Sequence, residues 1–128
     1  MPADLRPLNA PDVPRVSAGY AKAMEVTGAT RWLYVSGQIP LGEDGVPESF
    51  ADQARLTLLN VERQLVHAGM GKDDLVKLTV FLSSRDHRLE FRDIRTEWLG
   101  GREIGLTVIV CDIFDEAWLL EIEAVAAA

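Results

Sequence analysis

Val108, Ile109 and Val110, inside the run Gly105 to Phe114, are apolar at successive positions rather than alternate ones. A strand of this kind has both sheet faces covered. The rest of the chain supplies enough helix for one face only. Something else must cover the other face, and the simplest cover is a second copy of the chain. A ligand site built between copies would then be divided among them. The run Trp118-Leu-Leu-Glu-Ile-Glu-Ala-Val125 follows and reads as its partner in a terminal strand pair.

The length of 128 residues fits a single domain over 1–128, and 48% hydrophobic content fits a globular core rather than disorder. A net charge of −7 counts against nonspecific binding to nucleic acid or an anionic membrane. No apolar run reaches membrane-spanning length. The lone Cys111 excludes an internal disulfide and fits a reducing, cytoplasmic setting.

Pro2, Pro7, Pro11 and Pro14 make residues 1–16 read as an irregular arm. Ala18 to Val26 reads as a first strand, and the turn-forming Thr27 to Arg31 joins it as a hairpin to Trp32-Leu-Tyr-Val-Ser36. Ser49 is a helix cap. After it, Phe50, Ala54, Leu58, Val61, Leu65 and Ala68 recur at helical spacing, and Gly69 ends the stripe. Asp74 to Leu82 reads as a strand. Ser83 or Ser84 opens a second helix through Leu99, with Phe91, Ile94 and Trp98 inward and Gly100-Gly101 as its stop. The order β-β-α-β-α-β-β predicts an α+β fold, a sheet with two helices on one face and hairpins at both ends.

Conventional catalytic motifs are sparse. His67 and His87 lack the spacing of a zinc site and read as solvated. Cys111, in an apolar strand, reads as a buried, inert thiol. Ser36 is either a strand-end hydroxyl bonded to nearby backbone or part of a loop wall that offers N–H groups to an anion, with Gly37 permitting close approach. Period two sets Glu121 and Glu123 on one face, opposite Leu120, Ile122 and Ala124. Against solvent two glutamates are ordinary. Against another subunit, a partly desolvated carboxylate suits acid–base chemistry. For Glu121 both readings stand; for Glu123 the structural one is preferred.

Several segments together resemble the RidA (YjgF) family over nearly the whole chain from about Ala18. They are Tyr20, Tyr34-Val-Ser-Gly-Gln-Ile-Pro40, Asp52-Gln-Ala-Arg55 with Asn60, Leu75-Val-Lys-Leu-Thr-Val-Phe-Leu82, and Glu121-Ile-Glu-Ala-Val-Ala126. The resemblance implies a chorismate-mutase-like fold and a homotrimer with a small-molecule cleft between subunits. It implies hydrolysis of reactive enamines and imines to keto acids and ammonia, with no metal or cofactor. It matches the family's water-positioning glutamate with Glu121, its cleft tyrosine with Tyr20 and its Ser-Gly loop with Ser36 and Gly37. Thr107 falls at a cysteine or threonine position, and Arg92 at an asparagine position of the second helix.

The family's carboxylate-gripping arginine has no match. Gly105 or Leu106 stands there, and neither can form a bidentate clamp. A cation from elsewhere would have to come from Arg92, Arg95 or Arg102. Three readings follow. The first is an arginine-lacking, weak or divergent imine or enamine hydrolase whose cleft is made more apolar by Ile109, Val110 and Trp118. The second is a non-catalytic small-molecule-binding or regulatory trimer. The third, an endoribonuclease or translation inhibitor, is disfavoured by the acidic balance and the lack of a histidine pair.

Overall fold

The computed structural model describes residues 2–14 and 19–128. Strand β1 (Asp4–Leu8) pairs antiparallel with β2 (Ala23–Thr27) in a two-stranded ribbon. An exposed Arg6–Glu25 ion pair at 2.9 Å lies across it. This corrects two expectations. Residues 4–8 of the presumed irregular arm form a strand, and β2 pairs with β1 rather than in a hairpin with its successor. Pro7 is tolerated because β1 has a free edge, where a missing N–H breaks no ladder. Residues 1, 15 and 16 of the arm, and Ala18 of the expected first strand, lie outside the described residues.

Strand β3 (Trp32–Gln38) leaves the ribbon and joins a mixed four-stranded sheet, order β3-β6-β4-β5, with β4 (Leu75–Leu82), β5 (Gly105–Val110) and β6 (Leu120–Ala127). Beside β6 it lies beneath helix α1 (Phe50–His67), where Val35 is buried; a hairpin with β2 would not provide that cover. The expected terminal hairpin is also absent. Strand β6 enters between β3 and β4, antiparallel to both, while β5 runs parallel to β4 at the edge after a crossover through α2 (Arg88–Leu99). The central place goes to β6 because Leu120, Ile122, Ala124 and Ala126 are all buried against the helices.

The helices follow their sequence signals. Ser49 Oγ accepts the Asp52 N–H at 3.1 Å, and Phe50, Ala54, Leu58, Val61 and Leu65 are buried. Ser84 caps a short 3-10 turn, Arg85–His87, that leads into α2. Gly100 and Gly101 end α2 at φ 64 and 81, a region that strongly favours glycine. Phe91, Ile94 and Leu99 of α2 share one core with α1 and the inward residues of the sheet. His87, expected in solvent, stacks on Phe50 with ring centroids 4.2 Å apart and so ties the start of α2 to the start of α1.

Gln53 is the main buried polar anchor. Its amide nitrogen donates to the carbonyls of Pro47 (2.8 Å) and Ala117 (2.9 Å), and its oxygen accepts the Leu119 N–H at 2.8 Å. The two loops that precede α1 and β6 are thereby held together. In Gln53→Leu the same volume leaves three backbone groups without a partner. The expected loss is about 1–3 kcal/mol, read from the urea midpoint at unchanged slope.

Among the described residues, the sheet face away from the helices is largely uncovered. Tyr34 there is 73% exposed, and Trp32 and Ile109 are also exposed. At the β5 edge Val108, Ile109 and Val110 are each 41–42% exposed, so the apolar run expected to be covered on both faces is left partly open within one protomer.

Candidate functional site

A cleft of about 610 Å³ lies on the helix side of the β5 edge. Its floor is Leu82 of β4, Phe91 of α2, and Leu106, Val108 and Val110 of β5. Leu106, Val108 and Val110 are in register with Leu78, Val80 and Leu82, so this is the sheet's helix-facing side. Tyr20 forms one wall. It is held there by its neighbour Ala21, whose N–H donates to the Ile104 carbonyl at 2.9 Å and whose backbone bridges to Gly105. Gly105 thus positions the wall. A Cβ on it would approach the Val76 carbonyl oxygen to 3.3 Å, which leaves little room for a side chain of any size.

The other wall is cationic. Arg85, Arg88, Arg92 and Arg95 all line the cleft, and no carboxylate among the described residues does. Their spacings of three, four and three put them on one side of the helical turn and helix. Arg95 is buried, 3% exposed, whereas the other three are exposed. Burial holds the Arg95 guanidinium below its ordinary pKa. The nearby Arg92 cation lowers it further, and Tyr20 acts in the opposite direction.

Glu121 lies elsewhere. It is in register with Phe81 of β4 and points to the uncovered face. Its carboxylate rests on Gly37: a Cβ added there would fall 1.9 Å from Glu121 Oε2. Ser36 and Gly37 occupy a register shift of β3 between Val35 and Gln38, and the Gln38 amide donates to the Ser36 carbonyl at 2.9 Å. Asn60 of α1 donates to the carbonyls of Ile39 and Leu41, which fixes the loop that leaves this bulge. Gly37→Ala meets only the flexible end of Glu121. It is therefore expected to swing the carboxylate away with a small cost in stability, so that activity falls while the melting temperature stays within a few degrees.

The predicted residues fall into two groups. Tyr20, Arg92 and Leu106 meet at the helix-side cleft. Ser36, Gly37 and Glu121 meet on the open face, and Thr107, in register with Thr79, points to that same face nearer the edge. Strands β5 and β6 are two sheet spacings apart, about 10 Å, with β4 between them. No single copy brings Glu121 to the cleft.

Of the cations considered, Arg95 is at the cleft beside Arg92. Arg102 is not; it donates to the Lys72 carbonyl at 2.8 Å. Arg85 and Arg88 were missed, although their spacing with Arg92 and Arg95 is visible in the sequence. Val110 lines the cleft as expected, whereas Ile109 faces the opposite side and Trp118 packs toward Phe114. Cys111, expected to be buried, is partly exposed because it follows the last residue of the edge strand. Among the described residues no group of three or more His, Cys, Asp or Glu side chains is placed to hold a metal ion. No described helix is long and apolar enough to cross a membrane.

A mixed sheet backed by two helices, with a small-molecule-sized cleft at its parallel edge, defines an α+β domain. Residues 10–128 match the family described as Endoribonuclease L-PSP, and the chain belongs to that family, the RidA (YjgF) proteins. Protein HMF1 of Saccharomyces cerevisiae is 27% identical over 99% of this chain and 98% of its own length. TdcF of Escherichia coli, whose name places it with the reactive intermediate deaminases, is 44% identical over 55 residues, 40% of this chain and 41% of that protein. The Rid protein YyfB of Yersinia pestis superposes with a TM-score of 0.82 at 23% identity, covering 97% of this chain and 98% of that one. A crystal structure of TdcF with bound serine superposes at 0.72 and 24% identity, covering 96% and 98%.

Proposed function

We propose that this chain hydrolyses small imines or enamines that carry a carboxylate, in clefts completed by an adjacent copy within a homotrimer. The observation that carries this reading is the buried Arg95 beside Arg92 and Tyr20, on the cleft wall that adjoins Leu106. The cation that the family resemblance places on the strand is absent at Gly105 and Leu106; here helix α2 supplies it. An incoming carboxylate offsets the repulsion between Arg95 and Arg92. The exposed Trp32, Tyr34 and Ile109 of the open sheet face and the edge strand support association. That association also brings Glu121 and the Ser36–Gly37 backbone of one copy toward the cationic cleft of another. The serine in the TdcF structure and the name of that relative support a ligand of amino-acid size and deaminase chemistry.

The chemistry follows from this placement. An enamine first tautomerises to its imine, gaining a proton at the β carbon and losing one from nitrogen. Water then adds through oxygen to the imine carbon while Glu121 takes its proton and passes it to the imine nitrogen, giving a carbinolamine. Glu121 next takes the carbinolamine hydroxyl proton and delivers it to nitrogen as the C–N bond breaks, which leaves the keto acid and ammonia. Tyr20 and the apolar floor exclude bulk water. The test is keto acid and ammonia release from freshly generated 2-aminoacrylate, with and without the purified protein. Acceleration at substoichiometric protein is expected, and rates equal to buffer alone would overturn the proposal.

A further inference from the structure

A single carboxylate does not account for a wall of four arginines. The chain carries a net charge of −7, yet Arg85, Arg88, Arg92 and Arg95 converge on one cleft without an acidic side chain in its lining among the described residues. Arg92 also meets Asp93 at 3.4 Å, outside the cleft lining. An ordinary solvated helix face mixes signs and lies over water. This one borders an apolar floor and ends at Arg95, a largely buried residue.

Resting on the reading of this cleft as the substrate site, we propose that it selects dianions, specifically the imines of dicarboxylic 2-oxo acids. One carboxylate sits at Arg95 and Arg92. The second sits one helical turn away at Arg88, with Arg85 beyond it. The rise from Arg92 to Arg88 is about 6 Å, a separation that the two ends of a four- or five-carbon diacid can span. The apolar floor takes the methylenes between them. A second charge-assisted contact makes the diacid the better ligand.

The experiment has a binding arm and a turnover arm. Binding is measured by calorimetry at constant ionic strength with succinate and 2-oxoglutarate, against butyrate, 2-oxobutyrate and inorganic phosphate. Turnover is measured on imines generated in place by an amino acid oxidase from aspartate or glutamate, against those from leucine. The diacids are expected to bind about tenfold more tightly than the monoacids, and Arg88→Gln or Arg85→Gln to erase most of that ratio. Equal affinity for mono- and diacids overturns the dianion preference, even if leucine-derived imine is hydrolysed and the proposed function stands. So does tighter binding of phosphate than of either diacid, or a ratio untouched in both folded variants. Diacid preference in binding without any hydrolysis supports this inference and overturns the hydrolase reading instead.

Discussion

Arg95→Gln is expected to lower kcat/KM for a carboxylate-bearing imine by about 30- to 4000-fold, the equivalent of about 2–5 kcal/mol for truncating one member of a buried charge pair. The effect belongs mostly in KM, because a carboxylate grip is made equally in the ground and transition states. Arg95 can carry such an effect because it is largely buried, so solvent screens the attraction less than at an exposed arginine. Arg95→Lys keeps a charge but loses the planar fork, and an intermediate loss is expected. Melting curves of both variants separate a folding defect from a binding one. A folded Arg95→Gln protein with unchanged KM would place the grip elsewhere.

The second large effect is in kcat. Glu121→Gln keeps the size and the seat on Gly37 but removes the proton acceptor, with an expected fall of about 10²- to 10⁴-fold in kcat and little change in KM. Initial rates over a range of substrate concentrations make the distinction. The two variants thus fail in opposite kinetic parameters, which fits one residue holding the substrate and the other acting on water. A Glu121→Gln protein with wild-type kcat would leave the carboxylate a structural feature of the bulge.

Where a segment's own pattern decides its structure, the sequence was legible. The α1 stripe, its Ser49 cap, strand β4 and the glycine stop of α2 all depend on residues a few positions apart. Strand pairing depends on competition between distant segments, and there proximity misled. The stretch Trp32–Ser36 looked hairpin-paired to its neighbour, but β6 offers a buried face under α1, and β1 takes the place left beside β2. The consecutive apolar residues of β5 suggested a strand covered on both faces; they could not show that β5 lies at an edge, parallel to β4, where the run is exposed in one protomer. For the site, Tyr20, Gly37 and Glu121 stood out through the family resemblance. The arginine wall did not, because each arginine alone reads as a solvated helix residue. Only the packing of α2 against the β5 edge reveals that they share a cleft.

The split of the two residue groups between opposite faces of one sheet has a genetic corollary. In the proposed inter-subunit cleft Arg95→Gln and Glu121→Gln damage different halves, so two individually impaired proteins are expected to rescue each other when unfolded and reassembled together. Random mixing in a closed head-to-tail ring gives about one intact cleft in four. If both halves belonged to the same copy, no intact cleft would form, so complementation reads out directly whether the catalytic carboxylate is borrowed.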